Sequence, residues 1–188
     1  MSRPAVPPVA VLDSSVLVPV WSRHVLQRLA IPGGGVYSPV WSEWIIAETW
    51  RVLTWRWRIR LDYSVETSWR SLVRDANLML RRFLAVMTLV SLRDYAGPDP
   101  WPELRDEDDV PIWQTAVVAR AQYVVSHNLS DFPPLVQGRH TYAGIEYVTA
   151  IEFVEDVLGE DAAAIYGAPL PAAAPIRSNR VAERSDLA

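Results

Sequence analysis

A chain of 188 residues, half of them hydrophobic, is a globular protein long enough for one domain with a substantial core and perhaps an appendage. Its net charge of −4 argues against a generally basic coat for nucleic acid. The absence of cysteine excludes a disulfide framework and a thiolate metal site, so any chemistry must use oxygen and nitrogen groups.

The first residues, MSRPAVPPVAVLD, hold no apolar run of signal-peptide length, and no later segment reaches the length of a membrane span, which predicts a cytoplasmic protein. Val9–Leu12 reads as a buried strand of a parallel sheet, with Asp13 at its carboxyl end. A short helical pattern, HVLQRLA, is followed by PGGGVYSPVW, where glycines break the chain and Val36-Tyr37 begins a second strand. Ser42 stands where it can cap the next helix, EWIIAETWRVLTWRWR, whose inward stripe is Ile45, Ile46, Thr49, Trp50 and Leu53, with Glu48 in its middle. A further helix runs from about Ser64 to Val86 on Leu72, Ala76, Met79, Leu80 and Phe83, and VMTLVSL follows as a third strand.

The proline-rich loop RDYAGPDPWPEL then delivers the chain to RDEDDV, which opens a helix with Pro111 in its first turn and Ile112, Trp113, Ala116 and Val117 facing inward. Tyr123–Ser126 is a strand, HNLSDFPP a turn, and GIEYVTAIEFVEDVLGED a short strand and helix. From Ala168 onward the chain lacks aromatics and periodicity, and residues 168–188 read as a disordered tail. Alternating strands and helices predict a three-layer α/β/α sandwich with a mainly parallel sheet. In such sheets ligands gather beyond the carboxyl ends of the strands, where Asp13 and Asn128 both fall.

The run Asp106-Glu107-Asp108-Asp109 exceeds what a helix N-terminus needs, since one carboxylate suffices there and four repel one another unless a cation is near. Hard divalent ions take carboxylate and water oxygens, with acids drawn from separate segments. Asp13, Glu48 and Asp109, with the polar Asn128 turn, are candidates of that kind.

VLDSSVL, SEWIIAETWRVL and DEDDVPIWQTAVVARAQYVVSHNLSDFP resemble, in order and separation, the three signature blocks of the PIN-domain nucleases, above all the VapC-like toxins of toxin–antitoxin pairs. The resemblance spans residues 9–134 as a nuclease domain, and 135–167 resembles a C-terminal extension of some members. It implies a PIN-like sheet, a ribonuclease dependent on Mg²⁺ or Mn²⁺, an RNA substrate and a cognate antitoxin, and it leaves homodimerisation open. By position it implies metal binding at Asp13, Glu48 and Asp109, with Arg51 completing an E-x-x-R arrangement and Asn128 in the catalytic set. An acid more commonly stands where this chain has Asn128, and Ser15 stands where many members have Asn. Ser126 would position water or phosphate beside Asn128, and Asp131, Asp106 or Asp108 could compensate for the missing charge.

Against these stand plainer readings. Asp106 and Asp108 read as solvated cap charges, Asp131 as either a turn-forming or a supporting residue, and His127 as an exposed neighbour of the site. Glu48 could simply pair with Arg51. Residues 51–82 carry eight arginines against Asp62, Glu66 and Asp75, interleaved with Trp55, Trp57 and Trp69. The tryptophans read as core or a dimer contact, whereas some of the arginines, with Arg51 and Arg56 named first, would face RNA. A catalytically silent PIN-like module binding RNA or a protein is the main alternative, favoured by Asn128. A nucleotide-binding protein lacks its glycine loop, because Gly33-Gly34-Gly35 precedes a strand. A phosphatase built on Asp13 lacks the second acid, replaced by Ser15.

Overall fold

The computed structural model describes residues 6–30, 35–60, 66–93, 95–159 and 162, with the side chains of 56–60 and 66–68 left undescribed. The predicted tail, Gly33-Gly34, and the side chains of Arg56, Trp57, Arg58 and Arg60 therefore lie outside the described residues.

The first strand, β1 (Val9–Leu12), is buried over Ala10, Val11 and Leu12, as an uninterrupted apolar run in a parallel sheet must be. It pairs in parallel with β2 (Ser38–Ser42) on one side and β4 (Tyr123–Val125) on the other. β3 (Thr88–Val90) extends the β2 edge, and β7 (Ile145–Val148) lies parallel to β4. Two antiparallel strands, β6 (Arg139–Tyr142) and β5 (Leu135–Val136), complete the order β3-β2-β1-β4-β7-β6-β5. From β1 the chain moves to β2 and β3 in one direction, then returns to place β4 on the opposite flank. The crevice between the carboxyl ends of β1 and β4 is thus a topological switch point, where α/β sheets bind ligands.

Helices cover both faces, giving the three-layer sandwich with a mainly parallel sheet expected from the sequence. The short α1 (Ser14–Leu17) and α2 (Val20–Leu29) follow β1, while α3 (Glu43–Arg60) packs on α4 (Glu66–Leu84). α5 (Val110–Ala119) lies across β1, β2 and β4, and α6 (Ala150–Leu158) packs on β4 and β7 and meets α2. Among the described residues no helix is long and apolar enough to cross a membrane.

Thr115 on α5 donates to the Ser42 hydroxyl at 2.8 Å, tying the helix to the end of β2 at the cap position before α3. Trp113 is fully buried, edge-on to Trp101 and Tyr142, and its Nε1 donates to Pro98 O at 3.0 Å. That bond and the cluster of rings fix the loop that brings the acidic run to the sheet. Trp113→Ala empties the cluster and frees the loop, and is expected to cost about 3–5 kcal/mol in chemical denaturation.

Several boundaries differ from expectation. β2 begins two residues later than predicted because Tyr37 points into the core, its hydroxyl donating to Leu26 O. The helix predicted over HVLQRLA starts at Val20. Trp55 and Trp69, read from the sequence as core or a dimer contact, are 63% and 41% exposed and so are not core. Of the β5–β6–β7 meander only β7, the short strand expected in GIEYV, was anticipated; β5 and β6 were not. The turns of the meander are Gln137-Gly138 and Ala143-Gly144, each with φ near +50° and then +81°, the paired positive values of a two-residue hairpin loop. Glycine serves at the second position of each because a Cβ is strained there.

Candidate metal and active site

Asp13 follows β1 and is only 3% exposed. Its backbone N–H donates to Val125 O at 3.0 Å, continuing the parallel ladder one step and holding Asp13 opposite Ser126. The Asp13 carboxylate accepts hydrogen bonds from the Ser15 hydroxyl and from Ser126 Oγ at 2.7 Å. Those hydroxyls in turn accept from the backbone: Ser15 Oγ from His127 N at 2.9 Å and Ser126 Oγ from Asn128 N at 3.0 Å. Two strand ends are laced together through one carboxylate, and Ser15 serves as a link in that lacing.

Glu48 comes from the middle of α3, partly buried, and its Oε2 is shielded from solvent with no hydrogen-bond partner. Burial and then the charge of Asp13 raise its carboxyl above the ordinary range, against the opposing pull of a hydrogen bond from Ser14 and the Arg51 guanidinium. Ser14, absent from the sequence reading, thus supports Glu48. Its only signal was adjacency to Asp13.

Asp109 is the last residue of a 3₁₀ turn, Glu107–Asp109, at the entrance to α5. Asp106 caps this turn, its Oδ1 accepting from Asp108 N at 2.9 Å, as a solvated cap charge does. Asp108 is exposed and adds to the repulsion on Glu48. Burial, then the charges of Asp13, Asp131, Asp106 and Glu48, push the Asp109 carboxyl up to about 8. Around it, oxygens of Asp106, Asp109 and Asp131 all lie within 4.8 Å of one another. Asp13 and Glu48 are not in that group; they act on Asp109 through charge.

Asn128 bridges Asp109 and Asp131. Its Nδ2 donates to Asp109 Oδ2 at 3.2 Å and to Asp131 Oδ2 at 2.5 Å. Ser130 Oγ donates to Asn128 Oδ1 at 2.8 Å. His127 is exposed, and burial of its ring lowers its pKa while Asp13 opposes the shift.

Behind Asp109 a small recess is lined by Trp101, Ser126, Asn128, Asp131, Phe132 and Tyr147. Tyr147 is 6% exposed, and its hydroxyl has no partner. Burial, then the charges of Asp109 and Asp13, raise its pKa. The sequence reading missed it, because Tyr147 looks like any inward-facing strand aromatic. A buried hydroxyl without a partner is a standing cost, so Tyr147→Phe is expected to leave stability unchanged or raise it by up to about 1 kcal/mol, measured by denaturation. A loss of stability would mean that the hydroxyl is satisfied.

The arginine-rich segment lies apart in sequence. Arg51 is exposed one turn beyond Glu48. On α4, a surface groove of ≈ 570 Å³ is lined by Trp69, Arg70, Val73, Arg74, Asn77, Leu78 and Arg81. Arg74 there contacts Asp75 at 3.4 Å and Ser71 at 2.9 Å.

No family model and no curated protein matches the chain. Among solved structures it is similar to the crystal structure of VapBC2 from Rickettsia felis bound to a DNA fragment from their promoter. The identity is 17% and the TM-score 0.40, over 64% of this chain and 88% of that one.

Proposed function

We propose that the chain is a metal-dependent endoribonuclease, the toxin of a toxin–antitoxin pair, with residues 9–134 as its nuclease unit and 135–167 as an extension. What supports this reading most is the nearness of Asp13, Glu48 and Asp109, from three separate segments, at one strand-end crevice, where burial and then the charge of Asp13 disfavour ionisation of Glu48 and Asp109. Glu48 Oε2, buried without a donor, is the acceptor a cation would satisfy. An all-oxygen donor set suits Mg²⁺ or Mn²⁺ rather than a softer ion.

Asp13, Glu48 and Asp109 would hold the ion. When bound, such an ion lowers the pKa of a water and offsets charge on a phosphodiester under attack. Ser15 and Ser126 keep the Asp13 carboxylate in one orientation. Asn128 holds Asp109 and Asp131 together, and Arg51, with Arg56, would attract the RNA backbone toward an otherwise acidic crevice. No covalent nucleophile is required. The order of the three blocks in the sequence, together with this nearness, favours the PIN-like toxin among metal-dependent nucleases and brings with it a cognate antitoxin.

A catalytically silent module is the second reading, and the neutral side chain of Asn128 favours it. Incubation of the full chain with RNA, with Mn²⁺ or with chelator, decides between them. Cleavage that requires the ion supports the nuclease; intact RNA under both conditions rejects it.

A further inference from the structure

Asp109 has two sets of acidic neighbours. Asp13 and Glu48 act on it through charge, and Glu48 Oε2 is an acceptor without a donor. Asp106 and Asp131 have oxygens within 4.8 Å of its own, and these acceptors already have donors. There the two N–H groups of a single amide nitrogen, Asn128 Nδ2, reach Asp109 Oδ2 at 3.2 Å and Asp131 Oδ2 at 2.5 Å. They span two carboxylates that would otherwise repel.

The orientation of that amide is held at both ends. Asn128 N donates to Ser126 Oγ at 3.0 Å, and Ser126 donates onward to Asp13. Asn128 Oδ1 accepts from Ser130 Oγ at 2.8 Å. Turning the amide over would face its carbonyl oxygen toward two carboxylates and forfeit two hydrogen bonds to charged acceptors, the stronger kind. An amide so placed bridges the carboxylates as a cation does, without adding charge.

We infer that the Asn128 amide is a built-in substitute for a second cation, so that the chain takes one divalent ion, held by Asp13, Glu48 and Asp109. The inference rests on the cation-dependent reading of the site. It leaves Asp131 and Asp106 to hydrogen bonds and not to a metal. Two-metal hydrolytic sites instead place a pair of ions about 3.5–4 Å apart. Asn128→Asp removes the donors and adds a charge at the same place, and should open the second position.

The test counts Mn²⁺ bound by the full-length chain, from the loss of the free-ion signal in electron paramagnetic resonance. One ion is expected for the wild type, two for Asn128→Asp, and one for Asp131→Asn, with circular dichroism confirming that each variant is folded. Should Asn128→Asp not fold, the wild-type count and the Asp131→Asn count still decide. Two ions on the wild type, or an ion lost from Asp131→Asn, overturns the inference and leaves the nuclease reading standing. A folded Asn128→Asp that binds only one ion also overturns it. A wild type that binds none overturns both.

Discussion

Replacing Asp13 by Asn is expected to slow cation-dependent RNA cleavage severely while leaving the protein folded. The side chain is 3% exposed and accepts from Ser15 and Ser126, and an amide oxygen of nearly the same shape can accept both bonds. Packing is therefore preserved and one negative charge is lost. That charge is what an ion between Asp13 and Glu48 would bind most directly, and its removal is expected to slow cleavage roughly 10³-fold, the equivalent of about 4 kcal/mol in the barrier. The same charge raises both Glu48 and Asp109, so its loss relieves repulsion in the cation-free protein. Asp13→Asn should consequently melt no lower than the wild type in chelator. Cleavage at the wild-type rate would remove Asp13 from the site.

Why parts of this molecule could be read from the chain and others not follows from the range of the forces involved. Val9–Leu12 and the helix from Val110 announce themselves because a continuous apolar run and a helical stripe are local patterns that burial requires. Asp13 and the Asn128 turn were legible for a related reason: each follows a buried strand, and strand ends of a parallel sheet converge. The β5–β6 hairpin was not, since LVQGRHTY is half exposed and its turns use Gln-Gly and Ala-Gly, weaker signals than Asn-Gly or Asp-Gly. Tyr147 and Ser14 were invisible as site residues because nothing in sequence says which acid an inward hydroxyl will meet. The same holds for the division of labour around Asp109. The run of four acids predicted a crowd of charge, yet that Asp106 and Asp109, and not Glu107 or Asp108, gather with Asp131 depends on the 3₁₀ turn at Glu107–Asp109. Trp55 and Trp69 show the limit of the core half of their reading, core or a dimer contact: α3 and α4 turn these two outward.

Divalent cations should stabilise the protein, and more at pH 8 than at pH 6. The folded Asp109 carboxyl titrates at about 8, whereas in the unfolded chain it takes its ordinary value near 3.8. Between those values folding takes up a proton, so in chelator the contribution of Asp109 to stability falls as pH rises through this window and levels off above 8. Glu48, also raised, acts in the same direction. His24 and His127, both lowered by burial, act oppositely near neutrality, so the term due to Asp109 is read as the difference between wild type and Asp109→Asn. A bound ion needs the ionised carboxylate, so binding below pH 8 must expel the proton and weakens about tenfold per unit for one proton. With Mg²⁺ at a hundredfold excess over its dissociation constant, the gain is about 2.7 kcal/mol, or roughly 5–10 °C for a chain of this size. Thermal unfolding at pH 6 and 8, in chelator and at one fixed Mg²⁺ concentration, measures the gain. A melting temperature indifferent to Mg²⁺ at pH 8 would mean that the crowded carboxylates are relieved by protons alone, and the cation would lose its physical reason to bind.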